Sequence, residues 1–147
     1  MLTGRFGDTS KRPYIEGRLI LSRLKIRANI SFCVDTGADT SLLLPGDGVR
    51  LGLDYSGLSG NQESVGVGGI CQNFTEPALI AFTEPGRYLY VYALTLQICP
   101  PGPNIMGLPS LLGRDILNQW RMRYDATRDQ LAFTVLSADA KIPIPKS

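Results

Sequence analysis

The stretch YLYVYALTLQI, residues 88–98, is dense in β-branched and aromatic side chains, and it commits the chain to β-structure. Two stops bracket it. TEPGR, 83–87, is a turn by its Pro-Gly pair, and in CPPGPN, 99–104, three prolines remove the backbone donors that regular structure needs. Apolar runs between breakers continue along the chain. Residues 14–21 and 24–34 read as a hairpin with a break near Ser22-Arg23. Residues 65–74 and 78–82 read as strands, 110–113 as a short apolar strand, and 121–124 with 130–136 as a last hairpin. Glycines at 46, 48, 52, 57 and 60 make 46–64 loop-rich, and only 114–120 reads as a helix. The tail SADAKIPIPKS is proline-spaced and reads as extended. The expectation is one compact β domain with a single helix.

Composition narrows the function classes. At 147 residues and 44% apolar content, the chain is long enough for one self-sufficient core. No run approaches the length of apolar sequence that a membrane helix requires, so no membrane partner is expected. The first residues, MLTGRFGDTSKRPY, are polar where a secretory signal is apolar, which points to an intracellular protein. The net charge is only +2, and the basic residues at 18, 23, 25 and 27 mostly follow strand alternation as a solvated face. With no aromatic-basic stacking pattern beside them, no nucleic-acid partner is expected. Histidine is absent, which excludes a Ser-His-Asp triad, a Cys-His dyad and a His-ligated zinc site within the chain. The cysteines at 33, 71 and 99 form no metal-like cluster, and Cys33 reads as a small core residue. Neither a metal nor a cofactor is expected.

One segment carries chemistry. ISFCVDTGADTS, 31–42, runs an apolar strand into Asp35, and Thr36-Gly37 turns the chain sharply behind the carboxylate. Gly37 has no side chain to obstruct a substrate backbone. A carboxylate used as acid or base usually faces a second one, and none is apparent nearby. Asp8-Thr9-Ser10 has no apolar strand before it, and Asp125-Ala126-Thr127 belongs to a turn.

Val34-Asp35-Thr36-Gly37-Ala38-Asp39-Thr40 resembles the active-site segment of the retropepsins, the retroviral-type aspartic proteases. Val65-Gly66-Val67-Gly68-Gly69-Ile70 looks like their glycine-rich flap, and Leu111-Leu112-Gly113-Arg114-Asp115-Ile116-Leu117 like their apolar-apolar-Gly-Arg segment. The resemblance spans roughly 14–136. It implies an all-β, closed-barrel acid-protease domain with one short C-terminal helix, flanked by an N-terminal extension, 1–13, and an extended tail, 137–147. The distance from Asp35 to the flap is longer than in the compact viral enzymes, through 46–64, and the flap lacks the tyrosine of pepsin-type flaps.

Two-lobed relatives carry two such motifs in one long chain, whereas this chain has one and about half the length. The resemblance therefore implies a homodimer in which the second carboxylate is Asp35 of another copy. Two carboxylates at hydrogen-bond distance cannot both ionise cheaply and share a proton. The ionised member deprotonates a water that attacks the peptide carbonyl, while the protonated member hydrogen-bonds the carbonyl oxygen. By position, Thr36 bonds across the two-fold axis, Gly37 and Asp39 bind the peptide backbone, and Ala38 belongs to a small apolar substrate pocket. Val67, Gly68, Gly69 and Ile70 belong to the flap, whose opening gates entry, and Arg114, Leu112 and Gly113 support the site. Asp39 and Arg114 are expected to pair, and if buried the pair loses on the order of 3–5 kcal/mol when one partner is removed. The final strand, 130–136, is the candidate for an intersubunit sheet. Two other readings compete with the homodimeric aspartic endopeptidase. One is a non-catalytic retropepsin-like peptide-binding or dimerisation module, and the other a monomeric barrel with the Gly-rich loop as a lid over a small ligand.

Overall fold

Burial alternates along β3 (Arg12–Leu21), where Ile15, Leu19 and Leu21 enter the core and Glu16 and Arg18 face solvent. One tight turn at Ser22–Leu24, closed by Lys25 in the left-handed region, returns the chain into β4 (Ile26–Val34). The computed structural model describes residues 1–66 and 69–145, and only the backbone over 62–66 and 69–72. Its other strands are β1 (Leu2–Thr3), β2 (Arg5–Gly7), β5 (Leu42–Leu43), β6 (Gly60–Gly66), β7 (Gly69–Glu84), β8 (Tyr88–Ile98), β9 (Leu111–Leu112), β10 (Trp120–Asp125), β11 (Gln130–Val135) and β12 (Ala140–Pro143). The helices are α1 (Pro45–Arg50) and α2 (Arg114–Leu117).

The pairings of the larger sheet form a circuit. β4 pairs β9 in parallel, β9 pairs β5, β5 pairs β8 in parallel, and β8 pairs β7. β7 pairs β3, and β3 returns to β4. A smaller sheet has the order β1-β11-β10. Aromatic side chains join the two sheets. Trp120 of β10 meets the rings of Phe82, Tyr92 and Phe133 with centroids 4.9, 6.0 and 5.0 Å away. Its indole N–H donates to the Tyr92 hydroxyl at 2.7 Å, and that hydroxyl donates to the Ser137 carbonyl at 2.8 Å. The polar edge of each ring is thus satisfied inside the core.

The fold is the mostly β architecture expected, with local differences. There are two short α-helices among the described residues, not one: α1 runs from Pro45 into the stretch read as loop. Pro45 stands at its first turn, where its missing N–H costs nothing, and Asp47 lies in the same turn. The glycine that argued against a helix is there for packing, since a Cβ on Gly46 would meet the Met106 carbonyl oxygen at 2.5 Å. β7 is one strand of sixteen residues, running through Pro77. Pro77 lies past the end of the β3 pairing, which reaches only Leu79, so its missing donor interrupts no ladder on that side. The chain ends are used in cis: β1 pairs β11, with Leu2 in the core, and β12 pairs β8.

β11 was the strand expected to bridge subunits. It lies instead in the middle of its own sheet, flanked by β10 along its whole length and by β1 at Ala132 and Phe133. Its β10 side is fully paired within the chain, and its other side is taken at Ala132 and Phe133.

Tyr92→Phe should leave the buried Trp120 N–H without its acceptor and the Ser137 carbonyl without its donor. A destabilisation of about 1–3 kcal/mol is expected in urea unfolding, with no change of fold.

Candidate active site

Along β4, Ile30, Phe32 and Val34 are buried, which turns Ser31, Cys33 and then Asp35 to the opposite face. Cys33 is accordingly half-buried rather than a core residue. Burial pushes its thiol above the usual range; Arg12 opposes this, and the Asp35 and Asp8 charges add to it.

The parallel pairing of β4 with β9 fixes where Asp35 emerges. Cys33 N–H donates to the Ser110 carbonyl at 2.8 Å, and Asp35 N–H donates to the Leu112 carbonyl at 3.0 Å. Beyond Asp35 the chain turns: Ala38 N–H donates to the Asp35 carbonyl at 3.1 Å, and Gly37 N–H donates to Asp35 Oδ1 at 2.9 Å. Asp35 and Ala38 are half-exposed, and Thr36, Gly37 and Asp39 are exposed. The result is a carboxylate presented by a strand end and oriented by a backbone N–H from its own turn.

The loop is tied to the start of α2 from several directions. Arg114 Nη1 donates to the Thr36 carbonyl at 2.7 Å, its backbone N–H donates to the Ala38 carbonyl at 2.9 Å, and Nη2 pairs with the Asp39 carboxylate. The Asp39–Arg114 pair forms, but not as a buried one, because the Asp39 side chain is 85% exposed and that of Arg114 40%. Solvent screening reduces such a pair to roughly 0–1 kcal/mol, well below the buried-pair expectation.

The stronger tie is one that sequence reading missed. Ser41 is fully buried; its N–H and hydroxyl donate to Asp115 Oδ2 and Oδ1 at 2.9 and 2.8 Å. The same hydroxyl accepts the Gly113 N–H at 3.0 Å, and Asp115 Oδ1 accepts the Ile116 N–H at 3.0 Å. Gly113 is small of necessity: a Cβ there would lie 2.5 Å from the Thr40 carbonyl carbon and 2.9 Å from the Ser41 nitrogen. Ser110, also fully buried, donates to Asp47 Oδ2 at 2.6 Å and accepts the Leu44 N–H at 3.0 Å. Partners lying 74 and 63 positions apart leave no local pattern to read. The only hint was an aspartate in the first turn of a helix beside Arg114.

The predicted residues thus divide by position. Asp35, Thr36, Gly37, Ala38, Asp39, Leu112, Gly113 and Arg114 come together, with Leu112 wholly buried behind the loop. Gly69 and Ile70 pair with Gly66 and Val65 at the far end of the β6–β7 hairpin, while Val67 and Gly68 lie outside the described residues. No group of three or more Cys, Asp or Glu side chains able to hold a metal occurs among the described residues. No helix among them is long and apolar enough to cross a membrane.

Asp115→Ala should strand the Ser41 N–H, the Ser41 hydroxyl and the Ile116 N–H, with a cost of about 2–4 kcal/mol in chemical denaturation. Asp39→Ala removes only an exposed pair and should cost roughly 0–1 kcal/mol in the same assay. Equal losses for the two variants would contradict this ranking.

No protein-family model and no curated protein matches the sequence. Solved structures do match. A retropepsin-like aspartic protease from Rickettsia conorii superposes with a TM-score of 0.56 at 20% identity, over 98% of this chain and 92% of that one. The EIAV protease complexed with the inhibitor HBY-793 aligns over 76% of this chain and 90% of that chain, at 25% identity and a TM-score of 0.49. With the Asp-Thr-Gly turn at the end of β4 and Gly113-Arg114 leading into α2, the chain has the retropepsin-like fold.

Proposed function

We propose that the protein is an aspartic endopeptidase that works as a homodimer, with one Asp35 from each copy forming the catalytic pair. The observation that carries this reading is Asp35 itself. It stands half-exposed at a strand end, oriented by the Gly37 N–H, inside a fold shared with a retropepsin-like aspartic protease. The sequence holds one Asp-Thr-Gly segment, and in this reading a second copy brings the second carboxylate. With one proton between the two, the ionised Asp35 takes a proton from water as that water attacks the peptide carbonyl. The protonated Asp35 hydrogen-bonds the carbonyl oxygen and stabilises the gem-diol. Collapse of the gem-diol expels the amine, which leaves with a proton from the pair. Thr36 is assigned to the contact across the two-fold axis. Backbone groups of Gly37 and Asp39 are assigned to an extended peptide, Ala38 to an apolar pocket for one of its side chains, and the β6–β7 hairpin with Gly69 and Ile70 to the flap.

β10 supplies the surface for the second copy. It is the edge of the smaller sheet, paired on one side only among the described strands, and it exposes Met122 and Tyr124. It begins three residues after α2, whose Arg114 holds the Thr36 carbonyl, so a contact made by β10 is joined directly to the catalytic loop. An edge strand with exposed apolar side chains is a natural template for another chain.

The catalytic claim is tested by incubating wild type and Asp35→Asn with an unstructured protein mixture between about pH 4 and 7, where a pair sharing one proton operates. Cleavage by wild type alone is expected. A wild-type dimer that cuts nothing the variant spares would falsify the claim and favour a non-catalytic peptide-binding module.

Met122→Lys should weaken self-association while leaving circular dichroism unchanged, with activity recovering as protein concentration rises. Unaltered association would remove β10 from the interface.

A further inference from the structure

The β6–β7 hairpin is a cantilever. The β7–β8 ladder starts only at Phe74, so the backbone of 69–72 pairs with β6 alone among the described strands, β6 has no other sheet partner among them, and Asn73 reaches β8 by its side-chain bond to Gln97 at 3.4 Å. The orientation of the whole projection is therefore decided at its root, where β6 begins with Gly60 opposite Thr75. That root contains a carboxylate that none of the site chemistry uses.

Glu76 is the carboxylate in question, and it is completely buried. Arg23 grips it with two bonds, Nε to Oε2 at 2.9 Å and Nη2 to Oε1 at 2.7 Å. The same Nη2 donates to the Gly57 carbonyl at 2.5 Å, and the Ser59 N–H donates to Glu76 Oε1 at 2.9 Å. Ser59 Oγ completes the group by donating to the Thr75 carbonyl at 3.0 Å. Two other segments thus converge on one side chain of β7: the β3–β4 turn and the loop ahead of β6. A sheet needing only stability at this position would place an apolar residue there, because burying a charge costs more than it returns unless every bond is made. What the ionic group adds is direction, since a planar guanidinium and a carboxylate meet in one geometry.

We propose that Glu76 and Arg23 are positioning residues that fix the angle of the β6–β7 hairpin, and with it the affinity for a peptide laid beneath it. The substrate half of this statement rests on the peptidase reading above; the hairpin half does not. The bond to Arg23, helped by Ser59, holds the Glu76 carboxyl below the usual carboxylate range, with burial opposing. A depressed folded-state value means the grip is fully present above the ordinary glutamate range and is lost only as pH falls through the lowered one. The root therefore stays fixed through mildly acidic conditions, where a carboxylate pair sharing a proton works.

The experiment compares wild type, Glu76→Gln and Arg23→Lys by amide hydrogen exchange and by steady-state kinetics on a cleaved peptide. Arg23→Lys keeps the charge but loses the fork, which covers the case in which Glu76→Gln does not fold. Amides of 59–66 should exchange about tenfold faster in either variant, with those of β4 and β9 unchanged. KM should rise by a similar factor with kcat nearly constant, a split that general destabilisation does not produce. Unchanged exchange over 59–66 in a folded variant overturns the proposal. Faster exchange in a protein whose wild type cuts no peptide leaves the hairpin role standing and rejects the peptidase reading instead.

Discussion

The site depends on a parallel pairing between two segments that lie far apart in sequence. β4 reaches Asp35, and β9, a strand of two residues, holds it there through the Ser110 and Leu112 carbonyls. A strand that short cannot hold its own place. It is fixed because β5 pairs its other side, Ser110 is bonded to Asp47 and the Leu44 N–H, and Gly113 is pressed against the Thr40 backbone. The position of the carboxylate is thus set by packing and buried hydrogen bonds rather than by local turn preference.

The acidic side chains are sorted by what they accept. Asp115 takes the Ser41 N–H and hydroxyl and the Ile116 N–H, Asp47 takes the Ser110 hydroxyl and pairs with Arg50, and Glu76 takes Arg23 and the Ser59 N–H. Those oxygens are committed to structure. Asp35 accepts the Gly37 N–H on Oδ1 and stays half-exposed, which leaves it available to a substrate or to a second carboxylate. The difference in partners, and not in residue type, separates the support from the candidate catalyst.

What could be read in the sequence follows the range of the interaction involved. Strand alternation at 14–21 and 88–98 is local, and β3 and β8 appear where the pattern puts them. The Asp-Thr-Gly and Gly-Arg segments were visible because each is a contiguous run, and the fold joins them. α1 was hidden because Gly46 and Gly48 look like loop residues until the close approach of Met106 is known. β7 was divided in two because a proline inside a strand is harmless only where no ladder needs its donor, a fact of tertiary pairing. Ser41 with Asp115, and Glu76 with Arg23, had no signature at all, since a carboxylate's partner many tens of residues away follows no period. The role of β11 failed for a related reason: a strand's place in the chain order says nothing about whether its edges are already taken.

The proposed dimer draws on the same accounting of edges. β11 has β10 and β1 on its two sides, and β10 is one of the edge strands, with Met122 and Tyr124 exposed. In that proposal, association through β10 would draw the two Asp35 loops together, because Arg114, just upstream of β10, holds the Thr36 carbonyl. In the proposed dimer two ionised Asp35 side chains meeting on the axis would repel, and keeping one proton between them would relieve that repulsion.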